Sequence, residues 1–401
     1  MQSQTAAMGE DAVIVAAKRT PIGNFNGSLS SVAAPELAAT VMRDLLASTG
    51  VAPGEVGQVV LGQVLGAGQG QNPARQAALA AGLPHSTTAL GVNMVCGSGL
   101  RAVALAGQAV ALGEEVAVLA GGMESMSQAR HTVHLRAGVK FGDLGLEDSL
   151  LKDGLTDAFN NYHMGVTAEN VAKNFSLTRV EQDGFAAESQ QRAAAAIQAG
   201  LFGEEVVPVS VPGRKGAVVV AEDEFPRPDT TLETLAKLRP AFVKDGTGTV
   251  TAGNASGIND GAAAVLVMSG TEAARRGLAP LARIVSTGLA GVDPAVMGLG
   301  PVPAVRAALA RAGWTANQVD LWELNEAFAS QSLAVVRELE LPMDRVNVQG
   351  GSIALGHPIG ASGCRVLVTL LHAMARRGAQ RGVAALCIGG GMGIAMCVQT
   401  I

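Results

Sequence analysis

The chain has 401 residues, 48% of them apolar and 16% charged, and a formal charge of −5, so it is long enough for two or three folded domains. It contains no long Lys/Arg run, which argues against nucleic acid or an anionic membrane surface as a partner, and no apolar run of the roughly 18 residues that a membrane span needs. Four cysteines without CxxC spacing argue against a disulfide framework or a structural zinc site.

The two ends of the chain contain no pattern typical of a targeting signal. The opening stretch MQSQTAAMGE has no basic residue and no apolar core of the kind found in secretory or mitochondrial signals. The final residues CVQTI match no lipidation or retention signal. Together with the cysteine spacing, these features predict a protein of the reducing cytoplasm.

The first 125 residues follow an α/β pattern. The apolar runs DAVIVAAKR, QVVLGQVL and EVAVLAGG alternate with alanine-rich helical stretches, as expected for buried strands covered by helices. From about 126 to 250 the chain is richer in charge, proline and turns, which predicts helices with long connections over a substrate site. The strand and helix alternation then resumes.

Cys96 lies where an apolar stretch gives way to a predicted helix over 100–112, in VNMVCGSGLRAVALAGQAVALG. A lone cysteine is ordinarily a small core residue. Here the small residues 97–99 leave backbone N–H groups open at a helix start, and such a site lowers a thiol pKa from about 8.5 into the range of roughly 3.5 to 7.5. The sequence therefore predicts Cys96 as a thiolate nucleophile.

Two polar residues follow in the last third of the chain. Asn325, in WELNEAFAS, stands at the start of a helical pattern, where it is either a helix cap or a group that orients a water or a substrate carbonyl. His357 lies in the glycine-rich stretch NVQGGSIALGHPIGASG, between a strand predicted to end near Val348 and a helix predicted from about Ser362. If His357 faces Cys96, the pair forms a nucleophile with its base.

Cys387 ends a predicted strand in ALCIGGGMGIAM and precedes three glycines. Its thiol and the N–H groups of Gly389 and Gly390 are therefore expected to converge on one point, which suits an oxyanion better than a disulfide. Cys364 and Cys397 lack such surroundings and are interpreted as buried strand cysteines.

Two segments of the chain resemble each other. Residues 92–123 and 346–392 each open with Val-Asn, pass through Ser-Gly-x-Arg, continue along a helix and end in a strand followed by Gly-Gly. General βα patterning also produces such likeness, but the shared Ser-Gly-x-Arg favours an internal duplication. Two such halves would bring corresponding loops to one interface.

Taken in order, NMVCGSG, GNASGINDGAA, NEAFA, GGSIALGHPIGASG and CIGGGMG resemble the thiolase family over nearly the whole chain. This resemblance implies an α/β fold with a five-layered αβαβα core, made from two similar halves with an inserted loop domain. The implied domains are 1–125 plus 251–275 for the first half, 126–250 for a loop domain that binds coenzyme A, and 276–401 for the second half.

The resemblance also implies the chemistry. Cys96 would be the acylated nucleophile, His357 its activator, Cys387 the acid/base for the carbon acid and Asn325 the holder of a water. The N–H groups of Cys96 and Gly389 would form one oxyanion hole, and His357 with the Asn325-bound water the other. The implied reaction is the reversible condensation of two acetyl-CoA molecules into acetoacetyl-CoA and CoA, without a metal or an organic cofactor, in a homotetramer built as a dimer of dimers.

For the coenzyme A thioester, the resemblance places Ser256 at the pantetheine and Arg227 at the nucleotide end, although a solvated surface arginine is an alternative for Arg227. His163 and Met164 would close the acyl side of the site beside Tyr162 and so restrict it to short chains, unless they are only packed loop residues. The remaining residues implied to line the tunnel are Ala327 and Phe328. The histidines left as structural or surface residues are His85, His131, His134 and His372.

Three other functions compete with this one. A thiolase that degrades 3-ketoacyl-CoA substrates of many chain lengths would share the same residues. A β-ketoacyl synthase shares a cysteine nucleophile but builds its site around histidines, and Cys387 argues against it. A protein that only binds acyl-CoA is expected to have lost Cys96, His357 or Cys387, and all three are present.

Overall fold

The computed structural model describes residues 11–214 and 216–401, so the opening stretch MQSQTAAMGE, on which the targeting prediction depends, lies outside the described residues. The strands are β1 Ala12–Arg19, β2 Gly23–Asn24, β3 Gln58–Gly62, β4 Thr88–Val92, β5 Ala117–Ser125, β6 His131–Thr132, β7 Glu147–Asp148, β8 Val209–Val211, β9 Val218–Val220, β10 Asn259–Ser269, β11 Ala282–Gly291, β12 Leu321–Leu324, β13 Arg381–Ile388 and β14 Met392–Gln399. The helices are α1 Ala34–Thr49, α2 Pro73–Ala80, α3 Ser98–Ala111, α4 Met164–Asn174, α5 Arg179–Gln198, α6 Leu232–Ala236, α7 Gly270–Arg276, α8 Pro301–Ala312, α9 Ala329–Glu338, α10 Ser352–Leu355 and α11 Ser362–Arg377.

Long apolar strands form the centre of the fold. β5 and β10 are buried along nearly their whole length, because helices cover both faces of the sheet, and their sequences therefore do not alternate. The strands of the main sheet lie in the order β12-β13-β14-β11-β1-β10-β5-β3-β4, and β2 pairs with β10.

The sheet consists of two halves with the same arrangement. In the first half β1, β10 and β5 are antiparallel neighbours, and β3 pairs parallel with β5 and β4. In the second half β11, β14, β13 and β12 repeat the first four positions with the same directions, and a parallel bridge of Val346 to Trp322 occupies the fifth. A short β1–β11 pairing joins the halves. The predicted duplication is confirmed by this topology.

Helices complete five layers. α1 and α2 pack on the outer face of the first half, and α8 and α9 pack on the outer face of the second. α3 and α11 lie in the middle, where their apolar side chains pack against strands of both halves. This is the predicted αβαβα core.

The two middle helices meet at their first turns, where the duplicated Ser-Gly-x-Arg lies. A Cβ on Gly99 of α3 would come within 2.7 Å of the backbone nitrogen of Cys364, and one on Gly363 of α11 would clash with the backbone of Leu100. The glycines therefore permit a close approach that any larger residue would prevent. This contact brings the loops before both helices, which carry Cys96 and His357, to one interface.

The middle segment of the chain, between β5 and β10, contains α4, α5 and α6, in line with the predicted helices, and also the small hairpins β6–β7 and β8–β9. Arg19 at the end of β1 holds it to the core. Its guanidinium donates to Glu205 at 2.7 Å and to both carboxylate oxygens of Asp223 at 2.7 and 2.9 Å, and the side chains are almost wholly buried. The domain boundaries given above stay a prediction.

Two local predictions were wrong, and one open alternative is excluded. No strand ends near Val348, because Asn347 takes a left-handed conformation (φ 46°) directly after the Val346 bridge. Of the two alternatives for Asn325, the helix cap is excluded, since its N–H still pairs with the Ala385 carbonyl of the sheet and α9 begins only at Ala329. Cys364 lies in α11 rather than in a strand, whereas Cys397 lies in β14.

Candidate active site

A cavity of about 570 Å³ opens between the two halves and the middle segment. Cys387 and Asn325 do not line it. Cys387 is fully buried and packs in one cluster with Met164, Ala327 and Phe328 of the cavity wall, and Asn325 is buried two residues before Ala327. The other nine predicted site residues all line the cavity: Cys96, His163, Met164, Arg227, Ser256, Ala327, Phe328, His357 and Gly389.

A tight turn presents Cys96 to this cavity. The Ser98 hydroxyl accepts from the Met94 N–H at 2.8 Å and donates to the Val95 carbonyl at 2.6 Å, which closes the turn just before α3. Val95 takes a positive φ of 45°, which is uncommon for a β-branched residue. The backbone immediately before Cys96 is thus held in a strained form of the kind that collects at functional sites.

The prediction of a lowered pKa for Cys96 is wrong. Burial raises the pKa of the Cys96 thiol to about 11, although hydrogen bonds from the Gly389 and Cys96 N–H groups to the sulfur oppose this effect. The loss of hydration outweighs the helix start because the thiol lies inside the protein and not at its surface. Cys96 is therefore a neutral thiol at pH 7 that needs a base. The N–H groups of Gly389 and Cys96 nevertheless lie close enough to the sulfur to oppose the effect of burial on its pKa.

His357 is held as a neutral base. Its Nδ1 lies 2.6 Å from the Ser362 hydroxyl, and that hydroxyl donates to the Pro358 carbonyl at 2.9 Å, so it accepts from Nδ1–H. The lone pair is thereby placed on Nε2, which is buried and has no hydrogen-bond partner among the described residues. Burial, helped by the charge of Arg365, lowers the pKa of His357 to about 3. A neutral imidazole with a free Nε2 accepts protons.

Two residues that the sequence prediction missed fix the backbone around these groups. Asn259 accepts from the His357 N–H at 2.9 Å and donates to the Gly23 carbonyl at 3.0 Å. Glu124, fully buried at the end of β5, accepts from the N–H groups of Val64 at 3.0 Å and Gly360 at 3.0 Å. Their signal in the sequence was slight: a polar residue directly beside or within an otherwise apolar strand.

Cys387 lies near the end of β13, wholly buried. Burial raises the pKa of its thiol well above the ordinary value, and a negative charge on Cys96 raises it further. The two sulfurs are thus close enough for the charge of one to act on the other. All four cysteines of the chain are free thiols.

Asn325 follows β12 directly. Its Oδ1 accepts from the Ser352 hydroxyl at 2.6 Å, whereas its Nδ2 is buried without a partner among the described residues. The amide group is therefore oriented, with its acceptor used and its two donor hydrogens available.

Aromatic packing builds the wall around His163 and Met164. The His163 ring stacks on Phe242 with 4.6 Å between centroids, and Phe242 meets Phe328 edge to face at 6.3 Å. His163 Nδ1 caps α4 by accepting from the Gly165 N–H at 3.0 Å. Met164 is 7% exposed and packs beside Cys387. The His-Met pair is thus a well-packed wall of the cavity next to the second thiol.

Ser256 and Arg227 also line the cavity. Ser256 is held beside the wall by its N–H, which donates to the Ala327 carbonyl at 3.0 Å. Arg227 is exposed, and its guanidinium lies 5.7 Å from the centroid of the Phe225 ring. An exposed guanidinium that lines the cavity suits an anionic ligand end.

The remaining histidines lie away from the cavity wall. His85, His131 and His134 are exposed, and His372 Nε2 lies 2.9 Å from the Ala17 carbonyl. Across the described ranges, no group of three or more His, Cys, Asp and Glu side chains is arranged to hold a metal ion. In the same part of the chain, no helix has both the length and the apolar character to cross a membrane.

Comparison with known proteins agrees with this geometry. A protein named cytosolic acetyl-CoA acetyltransferase from Mus musculus is 58% identical over 393 residues, which is 98% of this chain and 99% of that protein. An acetyl-CoA acetyltransferase from Pseudomonas aeruginosa is 59% identical over 389 residues, covering 96% of this chain and 98% of its own.

The fold agrees as well. The crystal structure of the Bacillus anthracis acetyl-CoA acetyltransferase superposes with a TM-score of 0.96 at 43% identity, covering 99% of this chain and 100% of that one. Residues 12–271 match the family described as the thiolase N-terminal domain, and residues 278–400 match the thiolase C-terminal domain. The chain therefore belongs to the thiolase family.

Proposed function

We propose that this protein is an acetyl-CoA C-acetyltransferase, which condenses two acetyl-CoA molecules reversibly to acetoacetyl-CoA and CoA. The observation that carries the proposal is the meeting of two thiols and one neutral imidazole at a single cavity: Cys96 and His357 line it, and Cys387 lies directly behind its wall. Acyl transfer needs a nucleophile with a base, and carbon–carbon bond formation needs a second acid/base.

The first half-reaction uses the neutral Cys96–His357 pair. Nε2 of His357 takes the Sγ–H proton while the sulfur attacks the carbonyl carbon of acetyl-CoA. The oxygen of the tetrahedral intermediate gains its negative charge beside the N–H groups of Cys96 and Gly389. When the intermediate collapses, the carbon–sulfur bond to CoA breaks and the departing sulfur takes a proton from Cys387. Acetyl-Cys96, CoA, a protonated His357 and a Cys387 thiolate remain.

The second half-reaction forms the new bond. The Cys387 thiolate, a strong base because it is buried, takes a methyl proton from a second acetyl-CoA. The enolate oxygen is stabilised by Nε2–H of His357 and by a water held by Asn325. The carbanion attacks the acetyl carbon on Cys96, and collapse releases the Cys96 sulfur, which recovers its proton from His357. Acetoacetyl-CoA leaves, and each side chain has its original proton.

The cavity suits a coenzyme A thioester along its length. Ser256 would meet the pantetheine, Ala327 and Phe328 would line the tunnel, and Arg227 would meet the anionic nucleotide end. His163 and Met164 would close the acyl side. The tight packing of that pair against Phe242 and Cys387 leaves little room for a long acyl chain and favours an acetyl or acetoacetyl group over the substrates of a broad-chain degradative thiolase.

The test is thiolysis of 3-ketoacyl-CoA substrates of increasing length with free CoA. We expect kcat/KM to fall sharply from acetoacetyl-CoA to 3-ketohexanoyl-CoA and beyond, and Met164→Ala to flatten that fall. In an open apolar pocket each added methylene would instead gain about 0.8 kcal/mol of binding. Equal or better turnover of the longer substrates would assign a degradative thiolase, and no turnover of any would indicate a protein that only binds acyl-CoA.

We further propose a homotetramer, assembled as a dimer of dimers. Two surfaces support this. β4 forms an edge of the main sheet and exposes side chains, so its outer backbone groups can pair with another strand. The segment 131–148, bounded by the β6–β7 hairpin, exposes several large apolar side chains, which is typical of a protein contact: Val133, Leu135, Val139, Phe141, Leu144 and Leu146.

The remaining parts of the proposal concern partners and location. The substrates are coenzyme A thioesters, and the reaction as written needs no resident metal or organic cofactor. Neither nucleic acid nor a membrane is proposed as a partner, in line with the net charge of −5. A cytoplasmic location is proposed from the cysteine spacing and from the mouse relative that is named cytosolic.

A further inference from the structure

The amide of Asn325 is oriented by a chain of buried hydrogen bonds. Its Oδ1 accepts from the Ser352 hydroxyl at 2.6 Å, and the same hydroxyl oxygen accepts from Nη2 of Arg365 at 3.1 Å. The guanidinium of Arg365 is held in turn by Glu323, 3.3 Å from Nη1. Each of these four side chains is at most 2% exposed, so solvent does not compete for the bonds.

The direction of this chain follows from donor and acceptor chemistry. A guanidinium has only donors, so the Ser352 oxygen must accept from Arg365. This bond uses one of the two lone pairs of the oxygen, and the only acceptor that the hydroxyl hydrogen reaches among the described residues is Oδ1 of Asn325. The Nδ2 hydrogens must therefore face the other way. The charge of Arg365 beside the hydroxyl oxygen further favours Oδ1 over the Nδ2 hydrogens at this position, and without the cation that preference is lost.

We infer that Arg365, acting through Ser352, is a positioning residue that presents the Nδ2 hydrogens of Asn325 to the water at the enolate oxygen. The inference rests on the proposed function, because it assigns a purpose to the Asn325 donor in that reaction. It assigns Arg365 and Ser352 a positioning role that neither the motif resemblance nor the cavity lining indicates.

The same helix turn positions the other enolate donor. Ser362 and Arg365 lie three residues apart at the start of α11, so both side chains leave the same face of the helix. Ser362 holds Nδ1 of His357, and Arg365 holds Ser352. One rigid turn thus orients both groups that meet the enolate, whereas the N–H groups at Cys96 belong to another part of the chain.

The test compares Ser352→Ala with Asn325→Ala. We expect Ser352→Ala to lower kcat for acetoacetyl-CoA thiolysis by about tenfold, less than the roughly hundredfold of a lost oxyanion donor, with KM little changed. Formation of acetyl-enzyme from acetyl-CoA, followed by intact-protein mass spectrometry, should stay within about twofold because that step uses the other oxyanion hole. Ser352→Thr, which keeps the hydroxyl, should recover most of the activity.

The decisive measurement is the double variant. If Ser352 acts only through Asn325, then Ser352→Ala adds nothing to Asn325→Ala, and the two effects are not multiplicative. Multiplicative effects, or an equal loss of acetyl-enzyme formation, would overturn the inference. An Asn325→Ala protein with full activity would instead overturn the role of Asn325 in the proposed reaction itself.

Two controls keep the result interpretable. Ser286→Ala removes a hydroxyl that donates to the Ala308 carbonyl at 2.7 Å, on the outer side of the second half, and should leave kcat unchanged. If Ser352→Ala does not fold, Ser352→Cys replaces it, since a thiol of similar size is a weak donor and acceptor. Its kcat is then expected between those of Ser352→Thr and Asn325→Ala, and wild-type kcat would contradict the inference.

Discussion

At the scale of single residues, Cys96 and Cys387 are both buried thiols with raised pKa values, yet their surroundings suit different roles in the proposed reaction. Cys96 lines the cavity and receives two N–H groups, whereas Cys387 lies behind the wall with its sulfur near that of Cys96. A nucleophile must touch the substrate carbon and needs stabilisation of the oxyanion next to it. A proton carrier needs only proximity to the proton that it moves, and burial makes the thiolate form of Cys387 a strong base.

The first prediction separates these two thiols. After incubation with acetyl-CoA, Cys96→Ala should carry no acetyl group, while Cys387→Ala should still be acetylated although its thiolysis and condensation activities are lost. Intact-protein mass spectrometry measures the adduct. A full adduct on Cys96→Ala, or normal condensation by Cys387→Ala, would contradict the assignment.

The second prediction concerns pH. Because the pKa of His357 is lowered to about 3 and that of Cys96 raised to about 11, the resting pair is neutral thiol and neutral imidazole throughout the physiological range. The rate of acetyl-enzyme formation should therefore be nearly flat from about pH 5 to 9 and fall only as His357 becomes protonated in stronger acid. Rapid-quench kinetics with acetyl-CoA measures this profile.

A buried carboxyl group supplies the control for that profile. Burial raises the pKa of Glu124 to about 7, and the charge of Glu124 acts on the Cys96 thiol. We therefore expect the ionisation of Glu124 to produce a small change in the rate of acetyl-enzyme formation near pH 7. This change should vanish in Glu124→Gln. A tenfold fall in rate per pH unit below pH 7 that persists in this variant would instead indicate a thiolate of lowered pKa.

At the scale of elements, the buried ion pairs of Arg19 connect the end of β1 to the middle segment through Glu205 and Asp223. Removal of one member leaves unpaired carboxylates inside the protein. Arg19→Met should therefore lower the free energy of unfolding by about 3–5 kcal/mol. Urea denaturation at equal protein concentration measures the loss.

The matching control lies on the surface. The guanidinium of Arg275 pairs with Glu272 at 2.6 Å but is 66% exposed. Arg275→Met should change the unfolding free energy by less than about 1 kcal/mol, because water screens the pair. Equal losses in the two variants would mean that the buried connection at Arg19 contributes no more than a surface pair.

At the scale of the whole molecule, the exposed segment 131–148 is expected to hold two dimers together. The side chains of Phe141, Leu144 and Leu146 are exposed, that of Phe141 completely. Changing all three to serine should reduce the mass in sedimentation equilibrium from four chains to two, since the apolar contact would be lost. Leu112→Ser, at an exposed site on the end of α3, serves as the control. A triple variant that remains tetrameric would show that this segment is not the contact.

Much of the molecule was predictable from local patterns. The buried strands, the duplication and the helix after residue 362 are each predicted by sequence patterns of about ten to fifty residues. Cys96, His357 and Cys387 stand out as candidates for the same reason, since each lies close to glycines in the sequence, and their catalytic roles stay a prediction. The wrong prediction of a strand end near Val348 and the excluded cap at Asn325 concern places where pairing with another strand decides the conformation.

The sequence by itself therefore determined the fold class and the two halves, and it indicated the candidate reactive groups. Only the tertiary structure decided their protonation and orientation. The neutral state of Cys96 depends on burial, which every surrounding element contributes, and Asn259, Glu323 and Arg365 act on partners 42 to 98 residues away along the chain. Electrostatic interactions and hydrogen bonds act through space. A sequence pattern therefore identifies the chemical groups but does not predict the environment that sets their pKa values and orientation.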